Sequence, residues 1–475
     1  MNRVFMKAIF KNSNYVSLLV VLLLNSLITA QKTPNLIVIM ADDLGYADVG
    51  FNGCKDIPTP NIDKIANNGV VFSNGYTSYS VCGPSRAGFL TGRYQQRFGF
   101  ERNPQYKPND PNMGLTKSEK TLAESLHQVG YTSGIIGKWH MGAHPSNHPL
   151  KRGFDSFYGH LGGGHRYLST DLVIEDSYSV FTESESYRTW IMRNYTPEKT
   201  TDYLTDEFSD EAVRFIDNNK NNPFFLFLSY NAPHTPLQAT QKYLKRFPKL
   251  KGKRKTYAAT VSAVDDGVGA LLDKLEALDL QEDTLIFFLS DNGGPETKNA
   301  SNNGLLREGK SSVYEGGYRV PFAMQWKAHI NPMIYNNPVS SLDIFATIAS
   351  LSNTPVNSEK PLDGVNLIPF LQSKSQATKP HTTIHLRKFD QDMHAIRDGN
   401  LKYIKQWKGS KKELFDLDAD IGEQNNLSAK YPEQVKRLDK KMMEWESQLM
   451  DPTFDGLRQL KAQDKKKKKK KNNIK

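Results

Sequence analysis

The chain has 475 residues with 38% hydrophobic and 11% aromatic content, enough apolar material for more than one domain, since single cores stop growing at roughly 250 to 300 residues. Its net charge is +11, but removing the seven lysines of residues 465–471 leaves +4. The body is therefore only mildly basic, which excludes a nucleic-acid binder as the reading of the whole chain, and residues 456–475 read as a solvated lysine-rich tail.

Residues 1–30 carry Arg3, Lys7 and Lys11, then an apolar run over 16–27, then Ala30 before Gln31. This is the pattern of a secretory signal peptide cleaved after Ala30, and it predicts a periplasmic or secreted protein. The run is shorter than the about 20 residues a stable membrane span needs.

Residues 35–40, N-L-I-V-I-M, are continuously apolar, as in a strand buried on both faces of a parallel sheet. Asp42 and Asp43 follow at its mouth. Adjacent carboxylates repel unless a cation compensates, and the carboxyl edge of an α/β sheet is where ligands gather, so a hard divalent metal fits them. Residues 58–71 predict a helix with Asn61 near its cap and Gly69 as its stop. Residues 77–94 then contain Cys82-Gly83-Pro84-Ser85-Arg86, a tight entry into a helix whose free N–H groups favour an anion. In an exported chain, Cys54 and Cys82 also admit a plain disulfide.

A helix over 121–129 and a strand over 131–136 lead to Lys138 and His140, which alternate and on an extended segment share one face. Gly162-Gly163-Gly164-His165-Arg166 reads either as a flexible substrate loop or as a connector; in the first reading His165 and Arg166 contact substrate. A helix over 201–218 and a buried strand over 224–228 precede Ala232-Pro233-His234-Thr235-Pro236, where the prolines predict a fixed extended segment. After a helix over 257–278, the apolar strand 284–290 ends at Asp291 and Asn292, a second oxygen-ligand pair placed as the first is. A parallel sheet brings both pairs to one edge. Lys310 and Glu315-Gly316-Gly317-Tyr318-Arg319 follow, and a helix over 343–351. Residues 381–386, 394–397 and 401–406 predict antiparallel strands of a smaller module, completed by residues 413–417 and a helix over 432–450.

In this order, D-D, C-x-P-S-R, G-K-W-H, A-P-H-x-P, S-D-N-G and E-G-G-x-R-V-P strongly resemble the type I sulfatases of the alkaline phosphatase superfamily. The resemblance implies a large mixed, mostly parallel sheet sandwiched by helices, with a smaller C-terminal antiparallel-sheet plus helix subdomain. It divides the chain into a catalytic domain over 31–375 and a subdomain over 376–455. It implies that Cys82 is oxidised to formylglycine by a formylglycine-generating or anaerobic sulfatase-maturing enzyme, and that one calcium ion is held by Asp42, Asp43, Asp291, Asn292 and modified Cys82. Lys138, His234 and Lys310 would bind sulfate or serve the leaving group, with Arg86 and His140 serving the formylglycine. The implied substrate is a sulfated oligo- or polysaccharide such as an algal galactan, carrageenan or ulvan. Two other readings stand beside it: a phosphodiesterase or phosphonate hydrolase of the same superfamily, and a non-catalytic glycan-binding protein with an unmodified Cys82.

Overall fold

The computed structural model describes residues 33–171, 189–373, 378–456 and 459. The predicted signal peptide 1–30, most of the lysine-rich tail 456–475 and the predicted division at 375/376 lie outside these residues. Sixteen strands follow in chain order: β1 Asn35–Ala41, β2 Val70–Phe72, β3 Gly75–Tyr76, β4 Thr132–Lys138, β5 Ser156–His160, β6 Met192–Arg193, β7 Thr196–Pro197, β8 Phe224–Ser229, β9 Thr284–Ser290, β10 Phe322–Gln325, β11 Met333–Tyr335, β12 Val339–Ser340, β13 Thr383–Lys388, β14 Met393–Asp398, β15 Leu401–Gln406 and β16 Lys412–Asp416.

Ten of them form one sheet in the order β11-β2-β10-β9-β1-β8-β4-β5-β6-β7. Its centre is parallel: β1 pairs with both β8 and β9, and β4 with both β8 and β5. The apolar run of β1 serves both faces. Leu36, Val38 and Met40 enter one core, while Ile37, Ile39 and Ala41 enter the other, which is why the segment shows no polar alternation. Parallel pairing with Ala41 opposite Ser290 sets Asp42 beside Asp291, as the two apolar runs predict.

The helices differ from expectation mainly at their ends. Pro60–Asn67 has no side-chain cap from Thr59; instead Asp265, on the helix Gly252–Ala277, accepts from the backbone N–H groups of Asn61 and Ile62 at 3.0 and 2.8 Å. A carboxylate distant in sequence thus does the capping assigned to Asn61. Leu122–His127 is shorter than the predicted 121–129, and Thr121 and Glu124 close a reciprocal capping box at its start.

A separate four-stranded antiparallel sheet, β13-β14-β15-β16, packs one face on the main body and the other on the helix Pro432–Glu446. A buried ionic cluster ties it to the main body. Lys402 on β15 lies 2.9 Å from both Glu315 and Glu423, all three fully buried. Glu315 also accepts from the Tyr76 hydroxyl at 2.6 Å, and its N–H donates to Glu423 at 2.7 Å. Truncating the lysine would strand two carboxylates in the interior. Lys402→Ala is expected to cost about 3–5 kcal/mol in chemical denaturation; a loss under about 1 kcal/mol, the size of an exposed pair, would show that the cluster is not holding the sheet.

Candidate active site

Five parallel strands open at one edge of the sheet, and the residues singled out from sequence gather there. β1 delivers Asp42 and Asp43, β9 delivers Asp291 and Asn292, β4 ends on Lys138, and the turn after β8 carries His234. The N–H of Asp42 donates to Ala232 O, and that of Asp291 to Ala41 O, both at 3.0 Å. Asp43 and His140 have φ of 68° and 57°, a left-handed conformation costly for residues with a Cβ and concentrated at functional sites.

Cys82 is the first residue of the helix Cys82–Thr91, which is buried along its whole length and ends at Gly92 with φ of 65°. The helix starts earlier than expected, because Asn103 Oδ1 accepts from the Gly83 N–H at 2.9 Å and secures the first turn. Cys82 Sγ lies 3.4 Å from Asp42 Oδ1 and 3.0 Å from Lys310 Nζ. Both Cys54 and Cys82 are free thiols, so no disulfide joins them. Burial and the neighbouring Asp291 push the Cys82 thiol up to about 12.

The three carboxylates are each answered by a cation. Lys138 Nζ reaches Asp42 Oδ2 at 2.6 Å, Lys310 Nζ reaches Asp43 Oδ1 at 2.6 Å, and Arg86 Nε and Nη2 reach Asp291 Oδ2 at 2.9 and 2.8 Å. Burial alone would raise Asp43, but Lys310 and His234 outweigh it and hold this carboxyl well below the usual range. Burial and the neighbouring Asp42 win at Asp291, whose carboxyl is pushed up despite Arg86.

His234 is held down to about 4 by burial, against the pull of Asp43. Its Nδ1 faces Thr235 O at 2.6 Å and its Nε2 lies 3.6 Å from Asp43 Oδ2. The segment is a turn rather than the expected extended run: the His234 N–H donates to Asn231 O, and the Ala232–Pro233 and Thr235–Pro236 peptides are both cis. His140 is buried, pushed well below the ordinary imidazole value by burial and Lys138, and its Nδ1 has no hydrogen-bond partner among the described residues. It does not share a strand face with Lys138, because β4 ends at Lys138 and the chain turns left-handed at His140.

His165 sits inside the fold. Its Nδ1 and Nε2 lie 2.9 and 2.6 Å from the carbonyl oxygens of Arg166 and Thr189, which commits the ring to backbone, while Arg166 is half-buried. The sequence reading did not single out Ser229, the last residue of β8. Its hydroxyl donates to Lys138 O at 2.6 Å and accepts from Arg86 Nη1. One serine closing the apolar run F-F-L-F-L-S was the available signal. Asn292 Nδ2 donates to Asp43 Oδ1 at 2.7 Å, but its Oδ1 is buried without a partner among the described residues.

Asp42, Asp43, Cys82 and His234 each offer a ligand atom, all within 4.8 Å of one another, and with Asp291 and Asn292 they supply a hard, oxygen-rich donor set. Ser229→Ala leaves Arg86 Nη1 without its hydroxyl acceptor; it is expected to cost roughly 1–3 kcal/mol and to lower turnover more than substrate affinity. An unchanged unfolding midpoint with unchanged kinetics would remove Ser229 from the site.

The sulfatase family model matches residues 34–354. N-acetylgalactosamine-6-sulfatase of Mus musculus is 33% identical over 367 residues, covering 74% of this chain and 68% of that protein. Among solved structures, Ps i-CgsB in complex with k-i-k-neocarrahexaose is 39% identical, with a TM-score of 0.83 over 89% of this chain and 95% of that one. A sulfatase from Pseudoalteromonas sp. is 26% identical, with a TM-score of 0.75 over 88% of this chain and 90% of that one. With residues 34–354 matched and the acidic strand mouths converging on Cys82, this chain belongs to the sulfatase family and is a sulfuric ester hydrolase.

Proposed function

We propose that the chain removes sulfate from a sulfated carbohydrate of the algal galactan or ulvan kind, using Cys82 converted to formylglycine and one calcium ion. The observation that carries the reading is the placement of Cys82 at the start of a buried helix, between Asp42 Oδ1 and Lys310 Nζ. The glycan class is supported by 39% identity to a protein solved with k-i-k-neocarrahexaose. Residues 31–375 are assigned as the catalytic domain and 376–455 as its C-terminal subdomain, in an exported protein matured by a formylglycine-generating or anaerobic sulfatase-maturing enzyme. Among the described residues no helix is long and apolar enough to cross a membrane.

The residues fit the metal. Asn292 Oδ1 is a buried acceptor awaiting a partner, and the three carboxylates are balanced by Lys138, Lys310 and Arg86. A dication held by Asp42, Asp43, Asp291 and Asn292 would give the site a positive excess suited to sulfate. Calcium would supply a Lewis acid toward sulfate oxygens, and the hydrated aldehyde of residue 82 two hydroxyls, one to attack sulfur and one to let sulfate leave.

The chain's own groups do the rest. Lys138 and Lys310 leave their carboxylates for the sulfate oxygens, where charge grows as the S–O bond breaks. His234, its Nδ1 fixed by Thr235 O, presents an unprotonated Nε2 that takes the proton of the attacking hydroxyl, and Lys310, already protonated, passes a proton to the leaving oxygen. His140 takes the proton of the second hydroxyl at residue 82. Arg86 keeps Asp291 aligned through its bonds to Ser229 and Lys138 O. Beyond the reacting sulfate, Arg166 is the available partner for an anionic group on the neighbouring sugar, with His165 fixing the loop from inside.

Sulfate release from a panel of sulfated algal oligosaccharides tests the reading. Cys82→Ala should fold and bind yet release nothing, and faster cleavage of an aryl phosphodiester than of any sulfate ester would favour the phosphodiesterase reading. Exhaustive chelation, or Asp291→Ala, should abolish turnover while calcium restores only the chelated wild type; full activity after chelation would contradict the metal assignment.

A further inference from the structure

The segment between His234 and the helix Gly252–Ala277 is the most one-sided stretch of the described residues. No Asp or Glu occurs from 218 to 264, while Lys242, Lys245, Arg246, Lys249, Lys251, Lys253, Arg254 and Lys255 crowd into fourteen positions. Three of these cations are spent on acids: Lys242 on Asp206 at 3.2 Å, Arg246 on Asp266 at 2.7 Å, and Arg254 on Asp48 and Asp56, both at 2.7 Å. The side chains of Lys245, Lys249, Lys251, Lys253 and Lys255 form no ion pair among the described residues, and the first four are exposed.

Both ends of the segment are pinned to the catalytic edge. At one end His234 Nε2 stands 3.6 Å from Asp43 Oδ2. At the other, the Tyr257 hydroxyl accepts from the Gly45 N–H at 3.1 Å and donates to Asp48 at 2.6 Å, while Arg254 also reaches Ala300 O at 3.0 Å. The chain therefore leaves the sheet edge beside one candidate ligand, Asp43, and returns to it at Gly45, so its unpaired lysines lie on a span anchored at that edge on both sides.

We infer that this lysine rim is a second binding surface, which holds the anionic groups of a sulfated polysaccharide chain extending away from the sugar in the pocket. The inference rests on the sulfated-glycan reading and narrows it to polymeric or long oligomeric substrates with charge on neighbouring units. Exposed charges act over about a Debye length, 8–10 Å at ordinary salt, so five cations along one rim serve a chain that spans them and do little for a single small ester. Such a surface raises local concentration and encounter rate rather than the rate of bond breaking.

The test uses full-length protein with Lys245, Lys249, Lys251 and Lys253 changed together to Gln. Binding of iota-carrageenan, of the same polymer after chemical desulfation, and of duplex DNA is measured in the Cys82→Ala background, so that no sulfate is lost during titration. Turnover of a small aryl sulfate by the otherwise unaltered enzyme is the internal reference. The expected result is binding of the sulfated polymer over both others, weakened by salt, with a loss of roughly tenfold in the quadruple variant and unchanged aryl sulfate turnover. Equal binding by variant and parent, no distinction between sulfated and desulfated polymer, or equal affinity for DNA overturns the rim. Failure of the parent enzyme to hydrolyse any sulfate ester sinks the sulfatase chemistry instead, a result distinguishable from loss of the rim alone.

Discussion

Three carboxylates, those of Asp42, Asp43 and Asp291, are brought together at the mouth of a parallel sheet with at most 2% of each residue exposed. Their mutual repulsion in a low-dielectric interior is the constraint around which the molecule is built, because buried like charges persist only when cations or hydrogen-bond donors answer them. Lys138, Lys310 and Arg86 answer them here, one to each. The strands that deliver the carboxylates are packed into the core on both faces, so the charges cannot spread apart, and Asp43 takes a left-handed backbone at their mouth. The same confinement underlies the proposed chemistry, in which lysines held on carboxylates turn to an entering sulfate and the Asn292 oxygen, without a partner among the described residues, faces a cation.

The C-terminal sheet joins this arrangement through Glu315. Its neighbours Gly316 and Gly317 pass so close to the S-D-N-G turn that a Cβ on Gly293 would stand 1.7 Å from Gly316 O, and the Gly293 N–H donates to Gly317 O at 3.1 Å. The Gly316 N–H in turn donates to Arg307 O, just before Lys310. The buried ion cluster centred on Lys402 of β15 therefore sets the position of the loop that carries Lys310, and with it the cation facing Asp43 and Cys82. Glycine is required at this crossing because two backbones meet there without room for side chains.

Much of this was legible in the sequence because the relevant signals are local. Unbroken apolar runs announced β1, β8 and β9, and in a parallel sheet their polar terminators must share an edge, which groups Asp42, Asp43, Asp291 and Asn292 from sequence alone. What escaped reading depends on contacts between distant residues. The cap on Pro60–Asn67 comes from Asp265, the early start of the Cys82 helix comes from Asn103, and His165 is buried by carbonyls at 166 and 189. His140 reaches its place through a backbone turn that strand alternation does not foresee. Ser229 and the Lys402 cluster were invisible because a serine or a lysine acquires its meaning only from the charge it is buried against.

The account stands on the chemical state of residue 82. Trypsin releases residues 65–86 as one peptide, and its mass in protein produced with a sulfatase-maturing enzyme reads that state directly. The account predicts a peptide that has lost sulfur and two hydrogens, gained one oxygen and reacts with a hydrazide probe, in a fraction that tracks sulfate-ester turnover across preparations. Full turnover from a preparation whose residues 65–86 carry only the intact thiol would contradict it.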